Sequence, residues 1–575
     1  MTKFLITFGS LFWITCQSPT EDNKLSTIIK TYESYEHSDY EEFPLGDFRE
    51  ERFEQYAQFC DSLKNELKSL NYSLLNEEDQ ISYSLLDFVL NEALVEYQFK
   101  THWNPILSDA GFHSSLTYRV RPLTNKKSTL RYLRLLEGIP TYIKQQRALI
   151  EKGLEAGMGQ PLVIFRGYES TYNQHITPTA EENFFYSPFL NLPSQFSESE
   201  KDSLQEAAKK IVLEKVIPTF EEVKNFFEKE YFLRTRKTLG VSEIPNGKKY
   251  YQSRIDYYTT QHMTPENIHS LGLSEVARIR NQMESIIQEV GFKGTFNDFI
   301  SYLRNSSEFY ATSPEMLLKH ARNIAKKLDE QLPRYFITLP RKPYGVAAVP
   351  ASIAPKYTGG RYVGSPKNST DPGYYWVNTY NLSSRPLYVI PSLTAHEAVP
   401  GHHLQGALNQ ELPDHIPQFR KNLYLSAYGE GWGLYTEYLA EEMGIYETPY
   451  EHFGKLTYEM WRACRLVVDT GIHAFGWSRD QAVAYMASNT ALSLHEVNTE
   501  IDRYISWPGQ ALSYKIGEIK IRELREKAMQ ELGSSFDIRE FHEEILKRGT
   551  LTLPLLENQI LNYIEKKRQL IKLNQ

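Results

Sequence analysis

The sequence predicts a mainly α-helical protein with one short β region. Over most of the chain, apolar residues such as Phe53, Tyr56 and Phe59 recur at three- and four-residue intervals, which is the spacing of one face of a helix. Between residues 335 and 391 this periodicity stops, and prolines and glycines separate short apolar runs such as 374–377. That texture is typical of short strands joined by turns.

The composition is that of a folded globular protein. Hydrophobic residues make up 41% and charged residues 24% of the 575 residues, which is ordinary for a chain that buries a large core. The net charge of −8 is spread along the sequence, and the absence of a basic block argues against a nucleic-acid partner. Cys60 and Cys464 lie far apart, so we expect two buried single thiols rather than a disulfide framework.

The N-terminus has the features of an export signal. Lys3 precedes an apolar run from Phe4 to Ile14 that is too short to span a bilayer stably, and Cys16 closes it. Residues 1–16 resemble a bacterial lipoprotein signal, although Thr15 stands where a smaller residue is usual. The resemblance implies an exported protein held on the periplasmic or outer-membrane face by a lipid on Cys16. An uncleaved anchor and plain secretion are the alternatives.

The rest of the chain is predicted as a polar tether over residues 17–47, with a weak first helix, and one large helical domain over 48–575. The Tyr-rich segment Asn246–Met263 is compatible with a short strand. Ser478 and Gln481 have the spacing of a capping box, and Pro554 suits the first turn of the last helix. The predicted helices are 48–96, 130–154, 203–232, 264–290, 296–303, 314–332, 424–443, 450–473, one from Ser478, 494–506, 512–532, and two from about Asp537 and Thr552.

Residues 394–405, T-A-H-E-A-V-P-G-H-H-L-Q, indicate a metal site. They bring three histidines and a glutamate into eight residues, shortly after an apolar run. In zinc hydrolases, two histidines of one helix bind the metal, and the glutamate next to the first one deprotonates a water molecule. His396 and Glu397 fit those two roles. The alternative is a pair of buried, hydrogen-bonded histidines.

The spacing of this motif is unusual. In H-E-x-x-H the second ligand comes four residues after the first, on the same helical face, but here that position is Pro400. His403 is seven residues after the first histidine and would lie about 10 Å further along a regular helix. Pro400 and Gly401 relax the helical geometry. We therefore predict a distorted turn at 399–401 that returns His402 to the metal, with His403 behind it or in contact with substrate.

A third protein ligand is expected, because hydrolytic zinc takes three protein ligands and leaves one position for water. The best candidate is Glu430, which lies between Gly429 and Gly431 on the next predicted helix. We expect these two glycines to let that helix approach the metal helix closely. The other carboxylates of the helix are weaker alternatives: Glu437, then Glu441 and Glu442.

These motifs resemble a bacterial family described as domain of unknown function 885. The matching segments are H-E-A-V-P-G-H-H-L-Q, E-G-W-G-L-Y-T-E and P-G-Q-A-L-S-Y-K-I-G, and they are sharpest between residues 374 and 517. That family in turn resembles the helical gluzincin metallopeptidases, such as neurolysin, angiotensin-converting enzyme and the thermostable carboxypeptidases. Their motif also ends in Gly-His, but here two extra residues precede it. The resemblance implies a zincin-like fold with two helical halves, a deep central cleft and one Zn²⁺.

The resemblance also implies substrate-contacting residues after the metal site. Tyr504 and Tyr514 are the candidates for a phenol that donates to the oxyanion of the substrate. Arg503 is a candidate for binding a substrate carboxylate. Upstream, Asn378 follows a run expected to form an edge strand along which a peptide pairs. The alternative for each residue is packing or a structural ion pair.

Asp469 and His473 form a second constellation, because they are four residues apart and share a helical face. They fit either a second metal site or, preferably, a buried network with Arg465 that supports the first site.

Together these features predict a zinc-dependent metallopeptidase that hydrolyses short or unfolded peptides, with Glu397 as general base. Two alternatives belong to other classes. One is a lipoprotein that binds peptides without cutting them, and the other is a zinc amidohydrolase that acts on a non-peptide amide. The retained glutamate favours hydrolysis, since a binding protein needs no base.

Overall fold

The computed structural model of the protein describes residues 20–36, 39–351, 353–354, 357–367 and 369–573. The predicted export signal, with Cys16, lies outside these ranges. Within them the chain is mainly α-helical, with one three-stranded sheet, which confirms the predicted fold class. Among the described residues, no helix combines the length and the apolar character needed to cross a membrane.

The helices are α1 Glu21–Glu33, α2 Glu50–Lys68, α3 Glu77–Gln98, α4 Lys126–Glu155, α5 Ser170–Asn173, α6 Glu198–Ile211, α7 Ile217–Phe226, α8 Gly247–Thr259, α9 Pro265–Glu289, α10 Phe296–Asn305, α11 Pro314–Tyr335, α12 Ile390–Glu397, α13 His402–Gln410, α14 Gln418–Asn422, α15 Ser426–Glu442, α16 Pro449–His473, α17 Arg479–Asn489, α18 Leu494–Ser506, α19 Ser513–Leu532, α20 Ile538–Leu546 and α21 Leu553–Leu573. The strands are β1 Tyr344–Ala348, β2 Gly360–Val363 and β3 Gly373–Val377.

Local sequence signals account for many helix ends. The Ser478 hydroxyl accepts from the Gln481 backbone N–H at 3.2 Å while the Gln481 side chain accepts from the Ser478 N–H at 2.8 Å. This confirms the predicted capping box, which satisfies two backbone donors at the start of α17. Pro554 lies in the first turn of α21, where its missing N–H costs no hydrogen bond.

One prediction about local structure is wrong. The Tyr-rich segment compatible with a strand forms α8, because Tyr251 and Ile255 are buried at helical spacing. The weak first helix expected in the tether is present as α1, whose Leu25, Ile28 and Ile29 are buried. These three residues form one apolar stripe at i, i+3 and i+4, and α1 packs with it against α2 and α3. The polar composition of this segment concealed that stripe.

The sheet lies between α11 and α12, within the predicted β region, and its strand order is β1-β3-β2. β3 pairs in parallel with β1 and antiparallel with β2. β3 is therefore the central strand, and the prediction that it forms an edge for peptide pairing is wrong. Asn378, directly after β3, is fully buried and donates to three backbone carbonyls, those of Ala354, Tyr357 and Thr358. Its amide holds a loop in place.

The core around the predicted metal site is built from α12, α15, α16 and α19. α16 is buried without interruption from Phe453 to His473. α15 and α19 approach backbone to backbone, because a Cβ added at Gly431 would lie 2.5 Å from the Gly517 Cα atom. Gly431 thus packs against α19 and not, as the sequence suggested, against the helix with the His-Glu pair. α12 lies against α15, α16 and β2, and this contact positions the site.

Candidate metal centre

The helix that carries the His-Glu pair is interrupted where the sequence predicts a distortion. α12 ends at Glu397, and Ala398 (φ −93°, ψ −114°) and Gly401 (φ −76°, ψ −129°) leave the helical region. The Val399–Pro400 peptide between them is cis, and α13 begins at His402. The chain thus forms two short helices joined by a compact turn, a larger departure than the bulge that was predicted.

Gly401 is required at this turn by the space available. A Cβ at position 401 would lie 1.9 Å from the carbonyl oxygen of His396 and 2.4 Å from that of Ala395. The turn keeps its buried polar groups paired: the Trp432 indole N–H donates to the Pro400 carbonyl at 2.9 Å. The His403 N–H donates to the Ala398 carbonyl at 3.1 Å. Pairing of this kind is needed because a buried polar group without a partner is costly.

The turn brings together the three side chains that the sequence predicts as metal ligands. The Glu430 Oε2 atom lies 3.5 Å from His396 Nε2 and 3.4 Å from His402 Nε2. Each of the three residues offers one ligand atom, and these atoms all lie within 4.8 Å of one another. Zinc bonds of 2.0–2.1 Å in tetrahedral geometry place neighbouring ligand atoms about 3.3 Å apart. The observed spacing therefore fits a zinc ion.

Glu437 supports this cluster through the second ring nitrogen of His396. Its Oε1 atom lies 2.8 Å from Nδ1 of His396 and 3.2 Å from Nη2 of Arg462. A carboxylate on the far nitrogen of a metal-binding histidine fixes the tautomer and the orientation of the ring. The sequence placed Glu437 second among the candidate ligands; in the structure it instead orients one.

Gly433 makes room for the His396 ring. A Cβ at position 433 would lie 2.7 Å from Cε1 and 2.8 Å from Nε2 of that imidazole. This is the close approach between α15 and α12 that the sequence assigned to Gly429 and Gly431. Gly429 instead faces the Tyr424 ring, at 2.4 Å from a built Cβ. The correct helix pair was predicted with the wrong glycines.

The electrostatics of the cluster favour a cation. Burial lowers the pKa of His396, but its hydrogen bonds to Glu430 and Glu437 outweigh burial and raise the pKa to about 9. Burial raises the pKa of Glu430, but the charge of His402 and hydrogen bonds to both histidines hold it well below its ordinary value. Three carboxylates, counting Glu397, thus surround two imidazoles, and a divalent ion would balance their charge.

Glu397 lies next to the cluster in the chain but is not one of the three candidate ligands. Its side chain is 8% exposed, and its Oε2 atom accepts a hydrogen bond from the backbone N–H of Tyr362 at 2.7 Å. Tyr362 belongs to β2, which is an edge strand of the sheet. The outer edge of β2 therefore faces the candidate general base.

Two tyrosines and an arginine line the same region. The Tyr424 hydroxyl donates to Glu430 Oε1 at 2.9 Å. Burial raises the pKa of Tyr514, and the negative charge of Glu430 raises it further. Arg361, an exposed residue of β2, loses part of its solvation, but Tyr357 and the carboxylates of Glu397 and Glu430 outweigh this and raise its pKa. Sequence reasoning missed Tyr424 and Arg361, since neither lies in a motif.

Comparisons with known proteins give a family but no activity. The chain matches the family described as "bacterial protein of unknown function (DUF885)" over residues 35–560. It belongs to this family. None of the curated proteins compared with it matches. A solved structure described as "the putative lipoprotein from Colwellia psychrerythraea" is 26% identical, with a TM-score of 0.85, and covers 95% of this chain and 100% of its own.

A second solved structure, described as "a putative lipoprotein of unknown function from Shewanella oneidensis", is 18% identical, with a TM-score of 0.67 over 94% of this chain and 97% of its own. At this identity the likeness concerns the fold alone. Both comparisons extend over nearly the whole chain, so the overall fold is shared by these proteins.

Three residues that the sequence predicted to contact substrate are hydrogen-bonded to other side chains of the protein. The buried Tyr504 hydroxyl binds Trp461, Arg465 and Glu500 at 2.7–3.0 Å. The guanidinium of Arg503 donates to Gln510 at 2.6 Å and to Glu500 at 3.1 Å. His403 is 1% exposed, its Nδ1 atom lies 3.2 Å from the Tyr362 hydroxyl, and burial lowers its pKa to about 4. Of the two predicted oxyanion donors, Tyr514 is the one whose pKa is raised by the charge of Glu430.

The Asp469–His473 pair forms neither of the predicted arrangements. Asp469 accepts from the Tyr251 hydroxyl at 2.6 Å and from the Gly509 N–H at 3.2 Å. His473 donates from Nε2 to the Tyr504 carbonyl at 2.9 Å. The expected network fails because Arg465 turns to Tyr504 and Glu500 instead. In the part of the chain that the structure describes, the three-ligand cluster above is the one group of this kind.

Proposed function

We propose that this protein is a zinc-dependent peptidase. The observation that carries the proposal is the convergence of His396, His402 and Glu430 at ligand spacing, directly beside Glu397. A purely structural histidine pair needs no carboxylate at that spacing, and a purely binding site needs no second carboxylate, Glu397, next to it. The donor set, two imidazoles and one carboxylate, is that of catalytic zinc sites.

Each residue at the site has a separate role in the proposed hydrolysis. When bound, zinc supplies Lewis-acid activation of a water molecule and of the scissile carbonyl. Glu397 takes the proton of the attacking water and passes it to the leaving amine. The Tyr362 N–H holds one oxygen of that carboxylate, which leaves the other free to face the water. Tyr514 donates to the oxygen on which negative charge develops.

An extended peptide is the substrate that suits this site. β2 is an edge strand, and its outer side runs past Glu397. Exposed strand edges bind peptides through main-chain hydrogen bonds. Arg361 adds a positive charge near Glu397 and Glu430. The deep cleft expected from the gluzincin resemblance would restrict access to short or unfolded chains.

We also propose that the protein is exported and anchored through a lipid on Cys16. The N-terminal sequence supports this, and two proteins of similar fold are described as putative lipoproteins. The peptidase would then act on peptides at the periplasmic or outer-membrane face.

The decisive test compares Glu397→Gln with the wild type, both loaded with zinc. Metal content and peptide cleavage are measured by elemental analysis and by mass spectrometry of a digested peptide library. We expect Glu397→Gln to keep one zinc and lose at least about 99% of its activity, because removing a general base costs about 10²–10⁴-fold. Glu66→Gln, an exposed carboxylate on α2, is the matched control and should behave as wild type.

Three outcomes would contradict the proposal in different ways. Hydrolysis retained by Glu397→Gln would remove the assigned base. A wild type that binds zinc and peptides but cuts none would be a binding lipoprotein. A wild type that cuts other amides and spares every peptide would be an amidohydrolase.

A further inference from the structure

A cavity of about 300 Å³ lies between α10, α12, α16 and α18. This volume is at the lower end of the range for small-ligand pockets. Much of its wall is apolar, with Val377, Ile390, Leu393 and Tyr458 among the lining residues. Ser383 and Leu494, which also line it, are exposed, so the cavity opens to solvent on their side.

The cavity is within reach of the candidate general base. Leu393 lines it from α12, and Glu397 follows four residues later on the same face of that helix. Four residues correspond to about 6 Å along the helix axis. Gly359, which also lines the cavity, directly precedes β2, whose Tyr362 contacts Glu397. A substrate group in the cavity and the scissile peptide bond at Glu397 would thus be about two to three residues apart in an extended peptide.

Two polar groups in the cavity wall lack partners. Among the residues that the structure describes, neither Nε of Arg385 nor the hydroxyl of Thr457 has a hydrogen-bond partner, although both atoms are buried. Thr457 is only 1% exposed. Within the described residues, the hydrogen bond that the Arg385 guanidinium makes is long, at 3.4 Å from Nη1 to the carbonyl of the adjacent Ser384. A buried donor without a partner is costly, so these groups indicate a bound ligand.

The charge of the wall is positive. Arg304, the second arginine of the cavity, is already paired, because it donates to the carbonyls of Leu492 at 2.9 Å and Thr490 at 2.8 Å. Glu496 is the acidic residue of the wall, and burial raises its pKa to about 7 in spite of nearby Arg385. Near neutral pH its carboxyl is therefore protonated for part of the time, and it then donates a hydrogen bond.

We propose that this cavity binds a carboxylate of the substrate, held by the guanidinium of Arg385 and the hydroxyl of Thr457. An arginine fork matches a carboxylate in geometry and charge, and the apolar walls receive the adjoining carbon atoms. The proposal rests on the proposed peptidase function and specifies its substrate. The carboxylate is either the C-terminus of a peptide or an acidic side chain, two to three residues from the bond that is cut.

Binding is measured by calorimetry on the zinc-loaded, full-length Glu397→Gln protein, so that no peptide is consumed. Three probes separate the sources of the carboxylate: tetra-alanine with a free C-terminus, the same peptide as its amide, and Ala-Ala-Asp-Ala-amide. We expect one acid-bearing probe to bind about 10–100-fold more tightly than the neutral amide, which is the range for hydrogen bonds to charged groups. The tighter of the two acids identifies the source.

Arg385→Met should abolish the preference for the acid, and Arg385→Lys should keep part of it, because lysine retains the charge without the fork. Arg166→Met removes an exposed surface arginine and should leave the preference intact. Equal binding of all three probes, or a preference that survives in Arg385→Met, would overturn the proposal. Failure of the peptidase proposal has a separate signature, since wild-type protein would then cut no peptide whatever the three probes show.

Discussion

Gly433→Ala offers a direct test of the metal centre, because it acts on one predicted ligand without replacing it. A Cβ at position 433 would lie 2.7 Å from Cε1 and 2.8 Å from Nε2 of His396. Non-bonded carbon atoms are at their optimum at about 3.5–4.0 Å, so the imidazole must move by about 0.7–1.3 Å. Metal–ligand bonds tolerate deviations of about 0.2 Å. The substitution therefore displaces His396 well beyond what a bound zinc accepts.

We expect the affinity of Gly433→Ala for zinc to fall by at least about 10–100-fold, the range found when the support of a metal ligand is disturbed. This corresponds to about 1.4–2.7 kcal/mol. The assay is a competition titration against a fluorescent zinc chelator. Without the clash, alanine inside a helix would favour folding by about 1 kcal/mol, so a loss of zinc binding cannot be attributed to a weaker α15.

Gly406→Ala is the matched control for this experiment. Gly406 lies in α13, next to the cluster, and a Cβ there would meet the Tyr362 ring at an ordinary 3.5 Å. We expect this variant to bind zinc as tightly as the wild type. The assignment of His396 as a ligand would be refuted if Gly433→Ala retained wild-type zinc affinity, or if both variants lost the same amount.

Three further predictions concern groups around the site. Glu437→Gln should lower zinc affinity about tenfold in the same titration, because the amide no longer offers His396 a charged acceptor. Tyr514→Phe should reduce kcat about 10²–10³-fold with unchanged zinc affinity, whereas Tyr504→Phe should mainly lower the free energy of unfolding by about 1–3 kcal/mol. Burial raises the pKa of Asp469 to about 7, so the folded state keeps a proton that the unfolded state loses above about pH 4, and stability falls as pH rises from 4 to 7. In urea unfolding of Asp469→Asn, the free energy of unfolding should fall less between pH 4 and pH 7 than it does in the wild type, by up to about 4 kcal/mol.

Local sequence patterns predicted the elements well. The helix at Leu494–Ser506 has the predicted bounds, and most others differ by a few residues at either end, because amphipathic spacing and capping residues are local signals. α1 was judged a weak helix of a tether, because three apolar residues in a polar segment carry little weight until α2 and α3 are seen to cover them.

The candidate ligands were predictable because they lie in two short motifs, whereas the partners of isolated polar residues were not. Tyr504 and Tyr514 are equivalent in the sequence, each a phenol near the Pro-Gly turn. In the structure, the hydroxyl of Tyr504 is hydrogen-bonded to Arg465 and Glu500, whereas the pKa of Tyr514 is raised by burial and by the charge of Glu430. The difference arises from tertiary packing of α16 and α18, which no spacing rule contains. The position of Asn378 was likewise unpredictable, because the strand before it, β3, is central only through its pairing with β1 on the side opposite β2.

The interruption between α12 and α13 explains how a motif with two extra residues keeps its two histidines together. On a continuous helix, His402 would lie about 9 Å along the axis from His396 and about 120° around it. Ending the first helix at Glu397 and starting a second at His402 removes that constraint, and the ring centroids are 4.7 Å apart. The buried turn keeps its backbone paired through the Trp432 indole on α15. The helix that supplies Glu430 therefore also supports the turn, and the packing of α12 and α13 against α15 holds the three candidate ligands together.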